Sequence, residues 1–236
     1  MVNWLTARPP SEVGRANVLV QNLITTGIDF FFPPRCVVCR CAGSFFCRDC
    51  QGEIPFPPIQ PRNAPALDGI YTTAIFEGAI REVIHGLKYE GTSRLAQPLG
   101  QRLAMTYADL RQQNGASPTL ITAVPIHDSR LRKRGYNQAA LLAEALGRLI
   151  GHSGAVRLDV IQRLRDTAPQ VGLNATERTL NVADAFHADE SAVKGETILL
   201  IDDVFTTGAT LSACAEALRH AGAAAVYGLT VAAASG

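Results

Sequence analysis

Between Thr197 and Leu211 the chain reads TILLIDDVFTTGATL, and few folds accommodate that order of residues. Ile198, Leu199, Leu200 and Ile201 form an apolar run without polar alternation, the pattern of a strand buried on both faces of a parallel sheet. Two carboxylates, Asp202 and Asp203, follow at once. Thr206, Thr207, Gly208, Ala209 and Thr210 come next, and Leu211, Cys214, Ala215 and Leu218 then open a helical pattern. Strand, acid pair, hydroxyl- and glycine-rich turn and helix place the polar residues at the carboxyl edge of a sheet, where open α/β folds bind ligands. Backbone N–H groups at a helix start favour a phosphate. Gly208 lets the backbone approach it closely, and the threonine hydroxyls add uncharged donors. Adjacent carboxylates accept from paired hydroxyls such as those of a ribose, so the segment predicts a grip for a ribose 5-phosphate. A Mg²⁺-binding pair of another α/β fold and two solvated loop acids are the alternatives, and both leave the T-T-G-x-T loop unexplained.

IDDVFTTGATL resembles the motif with which type I phosphoribosyltransferases bind phosphoribosyl pyrophosphate (PRPP). Together with the cysteine-rich segment described below, the chain is similar over nearly its whole length to the ComF family (ComFC, GntX-like). The resemblance implies an α/β fold, a mainly parallel sheet flanked by helices, preceded by a small N-terminal helix and a four-cysteine zinc module. It implies Mg²⁺–PRPP as ligand, with Asp202 and Asp203 as catalytic residues on the ribose hydroxyls. The 5-phosphate then lies on Thr206, Thr207, Gly208, Ala209 and Thr210. It also implies a role in DNA uptake or in the use of DNA as a nutrient, alongside proteins of the uptake machinery.

A chain of 236 residues has room for one core domain and a small accessory module. The expected division is 1–32 for an N-terminal segment and amphipathic helix, 33–54 for the zinc module, 55–65 for a proline-rich linker and 66–236 for the phosphoribosyltransferase-like domain. A net charge of +1 means that any polyanion must be met by a local patch. Val18, Leu19, Leu23, Ile24, Ile28, Phe31 and Phe32 recur at helical spacing. That helix either packs on its own domain or lies on a membrane surface, with Arg15 alone to support the second option. No stretch reaches the roughly 20 apolar residues of a membrane span and no secretory pattern opens the chain, so a cytoplasmic protein without integral membrane association is expected.

Pro33 and Pro34 stop the helix, and C-V-V-C (Cys36, Cys39) and C-R-D-C (Cys47, Cys50) follow. Two C-x₂-C pairs joined by a short loop can hold one tetrahedral Zn²⁺. Cys41 stands outside both pairs, and Cys214 falls on the apolar side of a helix, where a small buried thiol is ordinary. A redox C-x-x-C is the alternative, although such motifs stand singly at helix starts.

Downstream, Gly86–Ser93 has a superficial P-loop spacing but lacks the lysine that reaches a β-phosphate. Lys88 and Tyr89 resemble the L-K-Y segment of ComF proteins, and a surface lysine at a helix end is the plainer reading of Lys88. Leu120 to Val124 is a second buried-strand candidate. Arg130, Arg132, Lys133 and Arg134 come next and lead into G-Y-N-Q. The resemblance places a pyrophosphate here, and clustered cations suit a leaving polyanion. They equally suit single-stranded DNA, with Tyr136 available to stack on a base. A solvated basic helix start remains a third reading.

Arg163, Thr167, Gln170, Leu173, Arg178, Asn181, Val182, Ala185 and Phe186 match a ComF pattern, and the resemblance makes this region a flap that closes over PRPP. Arg178 is the flap residue expected to reach the ligand. Where enzymes acting on 6-oxopurines carry a further Asp three residues after the second acid, this chain has Thr206, which argues against such a substrate and leaves the acceptor open. Two functions remain: a phosphoribosyltransferase, or a non-catalytic PRPP or nucleotide sensor that binds single-stranded DNA or a partner protein.

Overall fold

The computed structural model describes residues 33–58, 61–115, 117–165 and 185–235. The expected N-terminal helix and, in the expected flap, the residues Thr167, Gln170, Leu173, Arg178, Asn181 and Val182 lie outside them.

Four strands form a parallel sheet in the order β1 (Gly69–Thr72), β6 (Ala225–Ala233), β5 (Thr197–Phe205) and β2 (Leu120–Ala123). The apolar run of β5 is central and buried on both sides, as its lack of alternation predicts. Leu199 and Ile201 face one core with Ile121, Leu229 and Val231, while Ile198 and Leu200 face the other with Leu120 and Val226. The first core is closed by α2 (Gly78–Tyr89), α3 (Ala96–Asn114) and α5 (Gln138–Leu149). The second is closed by α7 (Ala209–His220) and by an antiparallel pair, β3 (Ile161–Arg163) and β4 (Phe186–Ala188).

The α3 helix has no clear signal in the sequence, because Pro98 and Gly100 interrupt it. Pro98 lies in the first turn, where a missing N–H costs nothing. At Gly100 a β-carbon would stand 2.6 Å from that of Ala145, so the glycine is what allows α3 and α5 to cross closely.

The cysteine segment shares the first core. Cys36, Phe46, Cys50 and Ile54 are buried with Ile80, Ile84 and Leu99. Its first pair sits on a tight turn in which Cys36 N–H donates to Cys41 O at 2.9 Å and Arg40 N–H to Cys36 O at 2.9 Å, with Arg40 at φ 65°. The second pair opens α1 (Arg48–Gly52), with Cys47 as its cap position. Arg102 of α3, buried, ties this segment down by donating to Ile54 O (3.2 Å), Pro55 O (3.4 Å) and Thr73 O (2.8 Å), with Phe56 stacked at 4.0 Å. Within the proline-rich stretch Arg62 pairs with Ile70 at the edge of β1. Among the described residues no helix is long and apolar enough to cross a membrane.

Candidate active site and metal centre

The sequence places the acid pair directly after the strand and ahead of the turn, but β5 runs on through it to Phe205. It can do so because β6 continues alongside, pairing Thr230 with Asp202, Ala232 with Val204 and Ala233 with Phe205. β2 stops opposite Ile201, which opens a crevice on that side of β5. Successive strand residues point to opposite faces, so Asp203 turns toward α2 and Asp202 follows Ile198 and Leu200 toward α7.

Asp203 is 3% exposed, and its Oδ1 is held at 2.6 Å by the ammonium of Lys88 in the last turn of α2. Burial opposes that charge, yet the Asp203 carboxylate outweighs it and holds the lysine pKa above its usual range. Lys88 is therefore a partner of the acid pair and not a surface lysine. Asp203 Oδ2 is buried without a hydrogen-bond partner among the described residues.

Asp202 Oδ1 accepts the Asp203 backbone N–H at 2.8 Å. Burial, then the negative charge of Asp203, pushes its carboxyl up to about 7, against the pull of Lys88. With the folded value above the unfolded one, the native state holds the proton more tightly. The stability this contributes is present below about pH 4 and is lost as pH rises through about 7. Asp202→Asn should therefore gain on the parent as pH rises, by about 1–2 kcal/mol at pH 8 after allowance for partial solvent screening. Urea midpoints at pH 5 and pH 8 check this, and a difference that does not widen with pH would refute it.

After Phe205 the chain turns through Thr206 and Thr207, both exposed, into α7. Gly208 caps α7 at φ 79°, and a β-carbon there would stand 2.8 Å from the Phe205 ring. No side-chain cap bond closes this helix start.

A cleft of about 860 Å³ brings these elements together. Asp202, Asp203, Thr206, Gly208, Ala209, Thr210, Lys88, Arg130, Lys133 and Arg134 all line it; Thr207 and Arg132 do not. The basic run is not one cluster, because it folds as a short helix, α4 (Asp128–Arg134), ended by Gly135 at φ 84°. Helical spacing turns Arg130, Lys133 and Arg134 to the cleft and leaves Arg132 exposed elsewhere. Arg134 is already engaged, donating to Gln138 Oε1 and lying 5.4 Å over the Tyr89 ring. Tyr136 is half-buried and does not line the cleft: its hydroxyl donates to Leu87 O at 2.7 Å and its ring packs against the core. Asn137 caps α5 and donates to Val124 O at 3.0 Å, fixing the end of β2 to the turn.

Arg81, His85, Tyr89, Gln138 and Arg163 also line the cleft. None stands out as a ligand residue in the sequence, although Arg81, His85 and Lys88 fall at i, i+4 and i+7 on one helix face. Arg163 lies 5.3 Å over the Phe186 ring and its charge acts on Asp202.

In the cysteine segment, the Sγ atoms of Cys36, Cys39, Cys47 and Cys50 lie within 4.8 Å of one another, and Cys39 and Cys47 are 3.6 Å apart. A tetrahedral zinc with bonds of about 2.3 Å has sulfur–sulfur edges of about 3.8 Å, so these four thiols can coordinate a metal. Cys41 stands outside the four, and all six cysteines are free of disulfides.

The family model for the phosphoribosyl transferase domain matches residues 91–235. Over 163 residues the chain is 33% identical to the DNA utilization protein YhgH of Escherichia coli K12, covering 69% of this chain and 70% of that protein. It is 27% identical over 216 residues to competence protein F of Haemophilus influenzae, covering 81% and 93%. Against competence protein ComFC of Bacillus subtilis the identity is 27% over 179 residues, covering 76% and 68%.

Proposed function

This chain belongs to the phosphoribosyl transferase domain family, among its ComF-type competence and DNA-utilisation proteins, and we propose on that footing that its cleft binds Mg²⁺–PRPP. The observation that carries the reading is the junction of β5 and α7. There a buried carboxylate oxygen without a described partner and an uncapped helix start line one cleft with cations of α4. The 5-phosphate lies against Thr206–Thr210, on backbone N–H groups and threonine hydroxyls. Asp202 and Asp203 accept the ribose hydroxyls and stabilise the positive charge that develops at C1. Arg130 and Lys133 hold the pyrophosphate, with Arg134 beside them. The C1–oxygen bond to pyrophosphate breaks as a nucleophile bonds to C1, and the electron pair leaves with the pyrophosphate. Mg²⁺ supplies further positive charge on the pyrophosphate oxygens. Arg178, which the family resemblance offers as a further ligand contact, lies outside the described residues. The four cysteines hold structural Zn²⁺, and the protein works in DNA uptake or utilisation.

Arg132, exposed and outside the cleft, supports a second reading in which the same pocket senses PRPP while the basic helix holds single-stranded DNA. Calorimetric titration of Mg²⁺–PRPP, with pyrophosphate release followed over a panel of bases, separates the two. Asp202→Asn, which leaves the Lys88–Asp203 pair in place, should weaken PRPP binding about tenfold to a hundredfold, since a hydrogen bond to a charged group contributes about 1.5–3 kcal/mol. Release with any base makes the protein a transferase. Binding without release makes it a sensor, and unchanged binding in the variant removes the ribose grip.

A further inference from the structure

Four of the aromatic or imidazole rings lining the cleft belong to Phe76, His85, Tyr89 and Phe205. Phe205 is buried beneath the phosphate loop and under Arg62, which lies 5.8 Å over its ring; Phe76 is half-buried. Tyr89 is different: it is 65% exposed, the most exposed large apolar side chain among the described residues. It follows directly on Lys88, whose contact with Asp203 anchors the end of α2 against the acid pair.

The ring is nevertheless held. His85, one turn earlier on α2, packs at 5.0 Å between centroids with the planes tilted by 45°, and His85 Nδ1 lies 3.4 Å from Glu90 Oε1. Arg134 reaches across from α4, fixed by buried Gln138 and centred 5.4 Å over the Tyr89 ring. A large aromatic left in water at a cleft wall, yet braced from two elements, is suited to receive a planar partner. Stacking needs an immobile ring with an open surface, and bracing removes the entropy that a loose side chain would lose on binding.

We propose that Tyr89, braced by His85 and Arg134, is the stacking platform for a planar heteroaromatic ring carried into this cleft. This deepens the ribose-phosphate reading and rests on it, because the ring it implies is attached, or becomes attached, to the ribose held by Asp202 and Asp203. The same ring chemistry comes from a free base or nucleotide, or from a base of a DNA strand, and both sources can be tested.

Calorimetry on the full chain uses ribose 5-phosphate, AMP, UMP and a short thymidine oligomer as probes, on the parent, Tyr89→Ala and Tyr89→Phe. AMP and UMP should bind the parent about tenfold or more tightly than ribose 5-phosphate, as one stacked base contributes. Tyr89→Ala should erase that advantage and leave ribose 5-phosphate affinity unchanged, while Tyr89→Phe keeps both. A loss confined to the oligomer assigns the ring to a DNA base. Undiminished binding of every base-bearing probe by Tyr89→Ala overturns the platform while the ribose grip stands. An equal loss of ribose 5-phosphate also overturns it, since Tyr89 would then act on the site as a whole. Failure of ribose 5-phosphate to bind the parent overturns the ribose-phosphate reading and this inference together.

Discussion

Protein purified without added metal should carry about one Zn²⁺ per chain, and Cys36→Ser/Cys50→Ser should lose both the metal and the native fold. Cys36 is fully buried and Cys50 is 4% exposed, in the same core as Phe46, Ile54, Ile80 and Leu99. Structural zinc contributes about 10–16 kcal/mol in small modules, as much as or more than the 5–15 kcal/mol by which whole domains are stable. The segment around the thiols has one helix of five residues and a turn with Arg40 at positive φ, too little regular structure to hold its shape without a cross-link. Its loss would expose the first core from below α2, and Arg102 would keep only its bond to Thr73. Two controls separate metal from packing. Cys41→Ser should keep the zinc and the parent melting temperature, and chelation of the unmutated protein should lower the melting temperature as the double variant does. Full metal content in Cys36→Ser/Cys50→Ser would refute the four-thiolate site.

Lys88→Met should cost about 3 kcal/mol, and Lys88→Met/Asp203→Asn should recover most of it. The lysine side chain is 22% exposed and the aspartate side chain 4%, so the pair is largely removed from water. Deleting the ammonium leaves a carboxylate with both oxygens buried and no neutralising charge, whereas removing both charges leaves a neutral amide beside a thioether. Urea denaturation of the two variants reads the difference, because the double variant's midpoint should return toward the parent from the single variant's loss. Equal destabilisation of single and double variants would show that the pair is incidental to the fold. Asp203→Asn alone strands the lysine in the same way, which is why Asp202→Asn is the cleaner probe of ligand binding.

The second effect concerns a pair of which the sequence shows only one half. The acid pair of β5 is legible because a buried strand, a glycine turn and a helix are consecutive, and consecutive residues impose their own geometry. That Lys88 belongs to it is not, since the contact depends on α2 packing across the sheet. The basic run shows the same division. Its charge is evident in RLRKR, but which cations reach the cleft depended on its folding as a helix ended by Gly135, with Arg132 turned away. Tyr136, next to that run, has the composition of a stacking residue, yet its hydroxyl found a backbone acceptor beneath α2 and Tyr89 was left exposed instead.

By itself the sequence determined the parallel α/β class, the order of strand, acid pair, glycine turn and helix, and the four metal-competent thiols. Each depends on spacings of a few residues, where backbone geometry converts position into direction. Only the tertiary structure decided the strand order β1-β6-β5-β2, the extension of β5 through its acids and the joining of the cysteine segment to the main core. It also decided the partners of Asp203 and Tyr89. These depend on contacts between residues distant in the chain, and such contacts are selected by how whole faces pack, which no local spacing encodes.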